Sequence, residues 1–146
     1  PDFSSIGARI YMWERTWELI KQRPFFGWGL GSYKVKWCEQ VNYSSWCDPA
    51  FSEHPHNQYL MAWVELGLPG VILLLLFITI PARKAMQAPE YAALMVSFIG
   101  FFALDCFFNG PLWVKMEYHF FLLMIPVVYS LAIHAKADTA PGLHQS

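Results

Sequence analysis

Three apolar runs occupy the second half of the chain. "LGLPGVILLLLFITIPA" covers residues 66–82, "YAALMVSFIGFFALDCFF" covers 91–108 and "YHFFLLMIPVVYSLAIH" covers 118–134. Each has about the length a helix needs to cross a bilayer, near the lower end of the range. One such run would suit the buried core of a soluble protein. Three in succession on short linkers predict an all-α polytopic membrane fragment. Residues 1–65 ahead of them read as one outer loop with amphipathic helices, and 135–146 as a polar tail without periodicity. Basic residues orient the spans. Arg83 and Lys84 lie between the first two runs and Lys136 follows the third. Positive-inside puts these on the cytoplasmic side, and residues 1–65 and the 109–117 link outside. Lys115 in that link runs against the bias.

Within the outer loop, "SSIGARIYMWERTWELIKQRP" has helical periodicity and ends before Pro24. Ile6, Ile10, Trp13, Trp17 and Ile20 recur at spacings of four and three and predict its apolar face. Glu14, Arg15, Glu18 and Lys21 fall on the opposite side. Arg9 falls among the apolar positions, near Trp13 and Ile20. A charge there is costly unless something anionic meets it. Two readings stand: an Arg that snorkels or pairs with a structural carboxylate, and an Arg aimed at a substrate phosphate, which its planar fork suits. "PFFGWGLGSY" follows, with Gly27, Gly29 and Gly31 alternating. This is neither the dinucleotide fingerprint nor a P-loop. It predicts a turn where backbones approach closely, with phosphate cradling as the weaker alternative. The stretch from Lys34 to Glu53 has no clean period and reads as irregular.

"SEHPHNQYLMAWVELGLPG", Ser52 to Gly70, joins the polar loop to the first apolar run. Pro55 suits the first position of a helix. His56, Tyr59, Leu60 and Trp63 then share one face. Gly67 is expected to end that helix in a left-handed cap, and Pro69 to begin the first span. In a first turn, the helix dipole would keep His56 neutral near pH 7, as a general base requires. His54 and His56 with Glu53 or Asp48 are a weak zinc candidate, because two ligands at chance spacing do not make a site. The bland alternative is a polar helix start at the membrane surface. Asp105, near the outer end of the second run, is wet, paired with Lys115, or functional. Glu117 and His119 begin the third run on the same side without a motif of their own.

Composition agrees with a membrane assignment. Of 146 residues, 55% are hydrophobic and only 14% charged, against about a quarter charged in soluble domains. A net charge of −1 gives no argument for a nucleic-acid partner. The chain opens "PDFSSIG", without initiator Met or signal-peptide pattern, and is read as a piece of a longer protein. Cys38 and Cys47 both lie in the outer loop. An oxidising compartment would permit a disulfide between them, with two free thiols as the alternative. Cys106 reads as packing within the second span.

The chain resembles the C-terminal part of the O-antigen ligase and O-antigen polymerase superfamily, most closely the ligases. The resemblance runs over about residues 5–125. It rests on "GARIYMW", "RPFFGWGLGSY", the His-Asn, nine residues, Gly-x-x-Gly pattern of His56, Asn57, Gly67 and Gly70, and the run from Asn109 to Phe121. It implies a GT-C-like, multi-pass glycosyltransferase of the bacterial inner membrane with its site facing the periplasm. Such an enzyme uses no cofactor or metal. It moves a glycan, with inversion, from undecaprenyl pyrophosphate to a hydroxyl acceptor, for ligases lipid A-core. The family's loop histidine maps onto His56 as base. Its loop arginine maps onto Arg9 at the pyrophosphate, with Arg15 or Arg23 as alternatives, and Asn57, Tyr59, Gly67 and Gly70 support the site. Transfer to a growing glycan or to a protein hydroxyl stays within the class. A transporter or scaffold whose outer loop only binds is the reading outside it.

Overall fold

The computed structural model describes residues 4–41, 47, 53–86, 89–112, 119–127 and 130. Four helices are assigned among them: α1 (Ser5–Gln22), α2 (Tyr33–Val41), α3 (Gln58–Ala85) and α4 (Pro89–Phe108). Residues 119–127 are also helical. No strand occurs among the described residues.

Helix α1 begins on a Ser4 cap whose hydroxyl accepts the Gly7 N–H at 3.0 Å, and stops, as expected, before Pro24. Its buried face matches the expected one only in part, at Ile20 and the half-buried Trp13. Met12, Thr16, Leu19 and Ile20 are buried, whereas Ile6, Ile10 and Trp17 are 73%, 49% and 44% exposed. The helix carries apolar residues on more than one side, and a stripe search finds the one with the bulkiest side chains. What decides the matter is the partner. Met12, Leu19 and Ile20 pack with Tyr33, Trp37 and Val41 of α2 and Met61 and Val64 of α3 into one core. Thr16 joins it by donating to Met12 O at 2.6 Å while lying 3.2 Å from the Tyr33 hydroxyl.

The start of the Lys34–Glu53 stretch, read as irregular, is instead most of α2. Tyr33, Trp37 and Val41 are its buried residues, at the i, i+4, i+8 spacing of one helical face. Its first turn borrows a carboxylate: Glu65 Oε1 of α3 accepts the Tyr33 N–H at 3.4 Å, as a capping side chain does.

Helix α3 is two helices joined at a break. Gly67 has φ 70° and ψ −158°. This is not the left-handed cap expected from sequence but a region open essentially to glycine alone. The break uncouples backbone groups, and buried orphans are costly. The glycine loop takes them up. Trp28 N–H donates to Val64 O at 2.9 Å, Gly29 N–H to Glu65 O at 2.8 Å, and Leu68 N–H to Pro24 O at 3.1 Å. Trp63 Nε1 donates to the same Pro24 carbonyl at 3.0 Å. The approach is close enough to require glycine on both sides. A Cβ on Gly67 would stand 2.3 Å from Phe25 O, and one on Gly27 2.5 Å from Glu65 O. Within α3, a Cβ on Gly70 would meet Leu66 Cβ at 2.5 Å and Ala62 O at 2.6 Å.

Beyond the break, α3 and α4 pack through a second core of Leu74, Phe102, Cys106 and Phe121. The Phe102 and Phe121 rings meet edge to face at 4.5 Å. Among the described residues, one helix, Gln58–Lys84, is long and apolar enough to cross a membrane by length and composition, and Ala93–Phe108 is a shorter apolar helix. Part of the third expected span lies outside the described residues. Leu73, Leu94, Phe101 and Leu104 are exposed, an apolar surface consistent with a membrane fragment. Asp105 accepts from Asn109 Nδ2 at 2.7 Å; Lys115, its expected partner, and Glu117 lie outside the described residues. His119 is exposed, and Cys106 is buried in the second core. Cys38 and Cys47 are free thiols in side-chain contact.

The packing predicts that Gly67→Ala costs at least about 3 kcal/mol, combining a forbidden backbone with a clash. Gly31→Ala, whose Cβ meets nothing within 4 Å, should cost about 1–2 kcal/mol from backbone strain alone. Thermal unfolding of the purified variants tests the difference, and equal losses would count against the clamp.

Candidate functional site

The segment ahead of α3 does not begin the helix where proline placement suggests. Asn57 is the cap: it is extended, buried, and its Oδ1 accepts the Leu60 N–H at 3.0 Å. His56 therefore lies outside the helix, with φ +50°, a left-handed conformation that costs a non-glycine residue about 1 kcal/mol or more. Tyr59, Leu60 and Trp63 share a helical face, but His56 is not part of it. Two contacts hold it. Pro55 is fully buried, and its carbonyl accepts from Trp13 Nε1 of α1 at 2.9 Å. The His56 N–H donates to His54 Nδ1 at 3.2 Å, leaving the His54 proton on Nε2. The two imidazoles lie edge to face, 4.2 Å between centroids.

Both rings are held neutral near pH 7, and burial is the largest cause. Burial lowers His54 to about 4, helped by the neighbouring His56. Burial also lowers His56, and the second cause is the charge of Arg9. Arg9 and His56 are 47 positions apart in the chain. Trp13, one turn beyond Arg9 on α1, is the residue that ties the histidine segment down. Arg9 itself is half-buried.

The two other arginines of the 1–65 segment, Arg15 and Arg23, have partners. Arg15 pairs with Glu18 at 3.0 Å and lies over the Tyr11 ring at 5.4 Å, and Glu18 also accepts from Gln40 of α2 at 2.9 Å. Arg23 stacks over Trp28 at 4.4 Å. In the glycine loop, the amides of Gly27, Trp28 and Gly29 are spent on Arg23, Val64 and Glu65 carbonyls, so they do not cradle a phosphate. Gly67 and Gly70 act through backbone packing. Tyr59 donates to Ala103 O of α4 at 3.0 Å. Of the weak metal set, Glu53 is exposed and Asp48 lies outside the described residues.

Sequence patterns missed two features. One is a cleft of about 510 Å³ beside the histidine segment, walled by Trp13, Trp17, Tyr59, Trp63 and Phe107, with Glu14 and Asn57 as its polar residues. Trp17 and Trp63 meet edge to face at 5.3 Å, as do Trp13 and Phe107 at 5.5 Å. The other is the burial of Gln58 and Glu65 on α3. Their spacing of seven puts them on one helical face, and that was the available signal.

Comparison with known proteins places this geometry in context. Residues 2–75 match the family described as O-Antigen ligase. An uncharacterized protein of Haemophilus influenzae is 39% identical over 79 residues, which is 53% of this chain and 20% of that protein. Two proteins carrying the name "Putative polysaccharide ligase", from Rickettsia felis and Rickettsia conorii, are 34% and 32% identical over 74 residues, 49% of this chain and 18% of each. The matched segment thus spans about a fifth of the length of these relatives. No solved structure gives a significant match.

The lowered His54 makes stability depend on acid. The unfolded ring protonates below about 6.5 and the folded one only near 4. The contribution is therefore complete above 6.5 and is lost as pH falls towards 4. Unfolding midpoints followed from pH 7 to 5 should fall less steeply for His54→Gln than for the parent, and parallel curves would remove His54 as a cause.

Proposed function

The chain belongs to the O-antigen ligase family, and we propose that it carries part of the active site of a membrane-bound polysaccharide ligase. In this reading a glycan passes from undecaprenyl pyrophosphate to a hydroxyl of lipid A-core on the periplasmic face of the inner membrane. His56 is the base and Arg9 binds the pyrophosphate. The observation that carries it is the hydrogen bond from Trp13 to the Pro55 carbonyl, which ties the His56 segment to the helix that carries Arg9 one turn earlier; burial and, second to it, the Arg9 charge lower His56.

The chemistry follows from those two groups. The acceptor oxygen attacks the anomeric carbon and gives its proton to the neutral His56 ring. The carbon–oxygen bond to pyrophosphate breaks, and its electron pair leaves with the phosphate. Pyrophosphate is already a good leaving group, so the larger task is to stabilise its charge, which suits Arg9. The two roles are coupled. In the free enzyme Arg9 disfavours imidazolium. When a pyrophosphate neutralises Arg9, that penalty falls and His56 becomes more basic as the hydroxyl needs it. Asn57, Gly67 and Gly70 serve by fixing where His56 stands. The partners on Arg15 and Arg23 favour Arg9 as the donor-binding residue.

The test uses the full-length protein with lipid-linked glycan donor and a core acceptor. His56→Ala should lower kcat by about 10²–10⁴ in a variant that still unfolds cooperatively. Arg9→Ala should raise KM for the donor far more than Arg15→Ala. The acid limb of kcat/KM should lie below about pH 6.5 and move upward in Arg9→Ala, because the repelling charge is gone. Unchanged transfer by His56→Ala would overturn the base assignment, and an unmoved limb would overturn the coupling. A glycan lengthened on its lipid carrier, with none on core, would make the enzyme a polymerase.

A further inference from the structure

His56 stands in a conformation that its own backbone resists. Its φ of +50° lies in the left-handed region, where a non-glycine residue persists only if its surroundings hold it. Three contacts bracket it. On the N-terminal side, the Pro55 carbonyl accepts from Trp13 Nε1 at 2.9 Å. On the C-terminal side, Asn57 caps α3 through the Leu60 N–H at 3.0 Å. The third contact acts on His56 itself, whose N–H donates to His54 Nδ1 at 3.2 Å. A side-chain acceptor that takes the backbone N–H two residues on is the turn that asparagine and aspartate make. Here an imidazole makes it, across Pro55, whose ring fixes φ between the two histidines.

Histidine adds what asparagine in the same turn would lack. Its ring lies edge to face on the His56 ring, with 4.2 Å between centroids and 68° between planes. Aromatic rings favour that arrangement, and it limits rotation of the His56 side chain. One imidazole therefore touches both the backbone and the ring of the other. The hydrogen bond requires Nδ1 of His54 to lack a proton, so His54 serves as a neutral ring protonated on Nε2. A neutral neighbour does not repel a proton arriving on His56, whereas a charged one at this distance would.

We propose that His54 is a positioning residue for the transfer: it fixes the backbone and the ring of His56, so that the base meets the acceptor hydroxyl in one orientation. The inference deepens the proposed function and rests on its assignment of His56 as the base. His54 acts without touching either substrate. Its effect on rate passes through His56, because displacing a reacting group by about 1 Å is enough to lose a productive geometry.

Two substitutions in the full-length protein separate the contacts. His54→Phe keeps a ring and removes the acceptor of the turn. His54→Asn keeps the acceptor and removes the ring. With lipid-linked glycan donor and a core acceptor, His54→Phe should lower kcat by about 100-fold and leave KM for the donor within about twofold. His54→Asn should be at least about tenfold faster than His54→Phe, because the backbone bond is restored. In a His56→Ala background, His54→Phe should lower the residual rate by less than about twofold, since nothing is left to position. A merely structural defect would lower both backgrounds alike. An unchanged kcat in His54→Phe, equal losses in the two variants, or a full further loss in the His56→Ala background would each overturn the proposal. Should His54→Phe not unfold cooperatively, His54→Leu removes the same acceptor and is read in the same way. Transfer that needs His56 but is indifferent to His54 would sink the positioning role alone, and transfer indifferent to His56 would sink the base assignment first.

Discussion

A broken helix with its loose ends taken up by a loop organises this protein. At Gly67 the backbone leaves helical geometry, and the carbonyls of Val64 and Glu65 lose helical partners. Unsatisfied, each would cost on the order of 1–3 kcal/mol when buried. The amides of Trp28 and Gly29 and the carbonyl of Pro24 restore the balance. The clamp works only because Gly27 and Gly67 lack side chains, since a Cβ on either would stand within 2.6 Å of the opposing segment's backbone. Two glycine motifs that lie forty residues apart are thus halves of one joint.

The joint fixes the rest. Holding the Pro24–Gly31 loop against α3 holds α1 and α2 there as well, around the core of Met12, Trp37 and Val64. With α1 in place, Trp13 reaches the Pro55 carbonyl and the histidine segment is pinned beside Arg9. The half of α3 before the break thereby carries polar chemistry, and the half after it packs with α4 as an apolar layer. A straight helix through this point would carry Asn57 and Gln58 along the same line as the membrane segment. The break gives them a separate direction.

Some of this was legible from residue order. The apolar runs, the end of α1 before Pro24 and the break in "GLPG" follow from local preferences that neighbouring residues decide. The expectation for Arg9 rested on an apolar stripe of which Ile6, Ile10 and Trp17 are exposed, so the stripe itself does not single it out. Helix α2 was also legible in the spacing of Tyr33, Trp37 and Val41, but polar residues between them obscured the pattern. The buried face of α1 was legible only in part. Ile6, Ile10 and Trp17 outscore Met12, Thr16 and Leu19 in bulk, and only the positions of α2 and α3 select the latter. The start of α3 was misjudged because Pro55 and Asn57 are both good helix-start residues, and the Trp13 hydrogen bond, 42 residues distant, favours the second.

The sequence by itself determined the helical class, the membrane character, the family resemblance and the residue types able to bind a phosphate and accept a proton. These depend on composition and short-range spacing. Tertiary structure decided which of them meet. It brought the charge of Arg9 to bear on His56, gave Arg15 to Glu18 and Arg23 to Trp28, and spent the glycine-loop amides on a helix break. It also kept His56 neutral by burial, where the chain order suggested a helix dipole. Desolvation and long-range hydrogen bonding depend on what is packed around a group, and residue order does not contain that information locally.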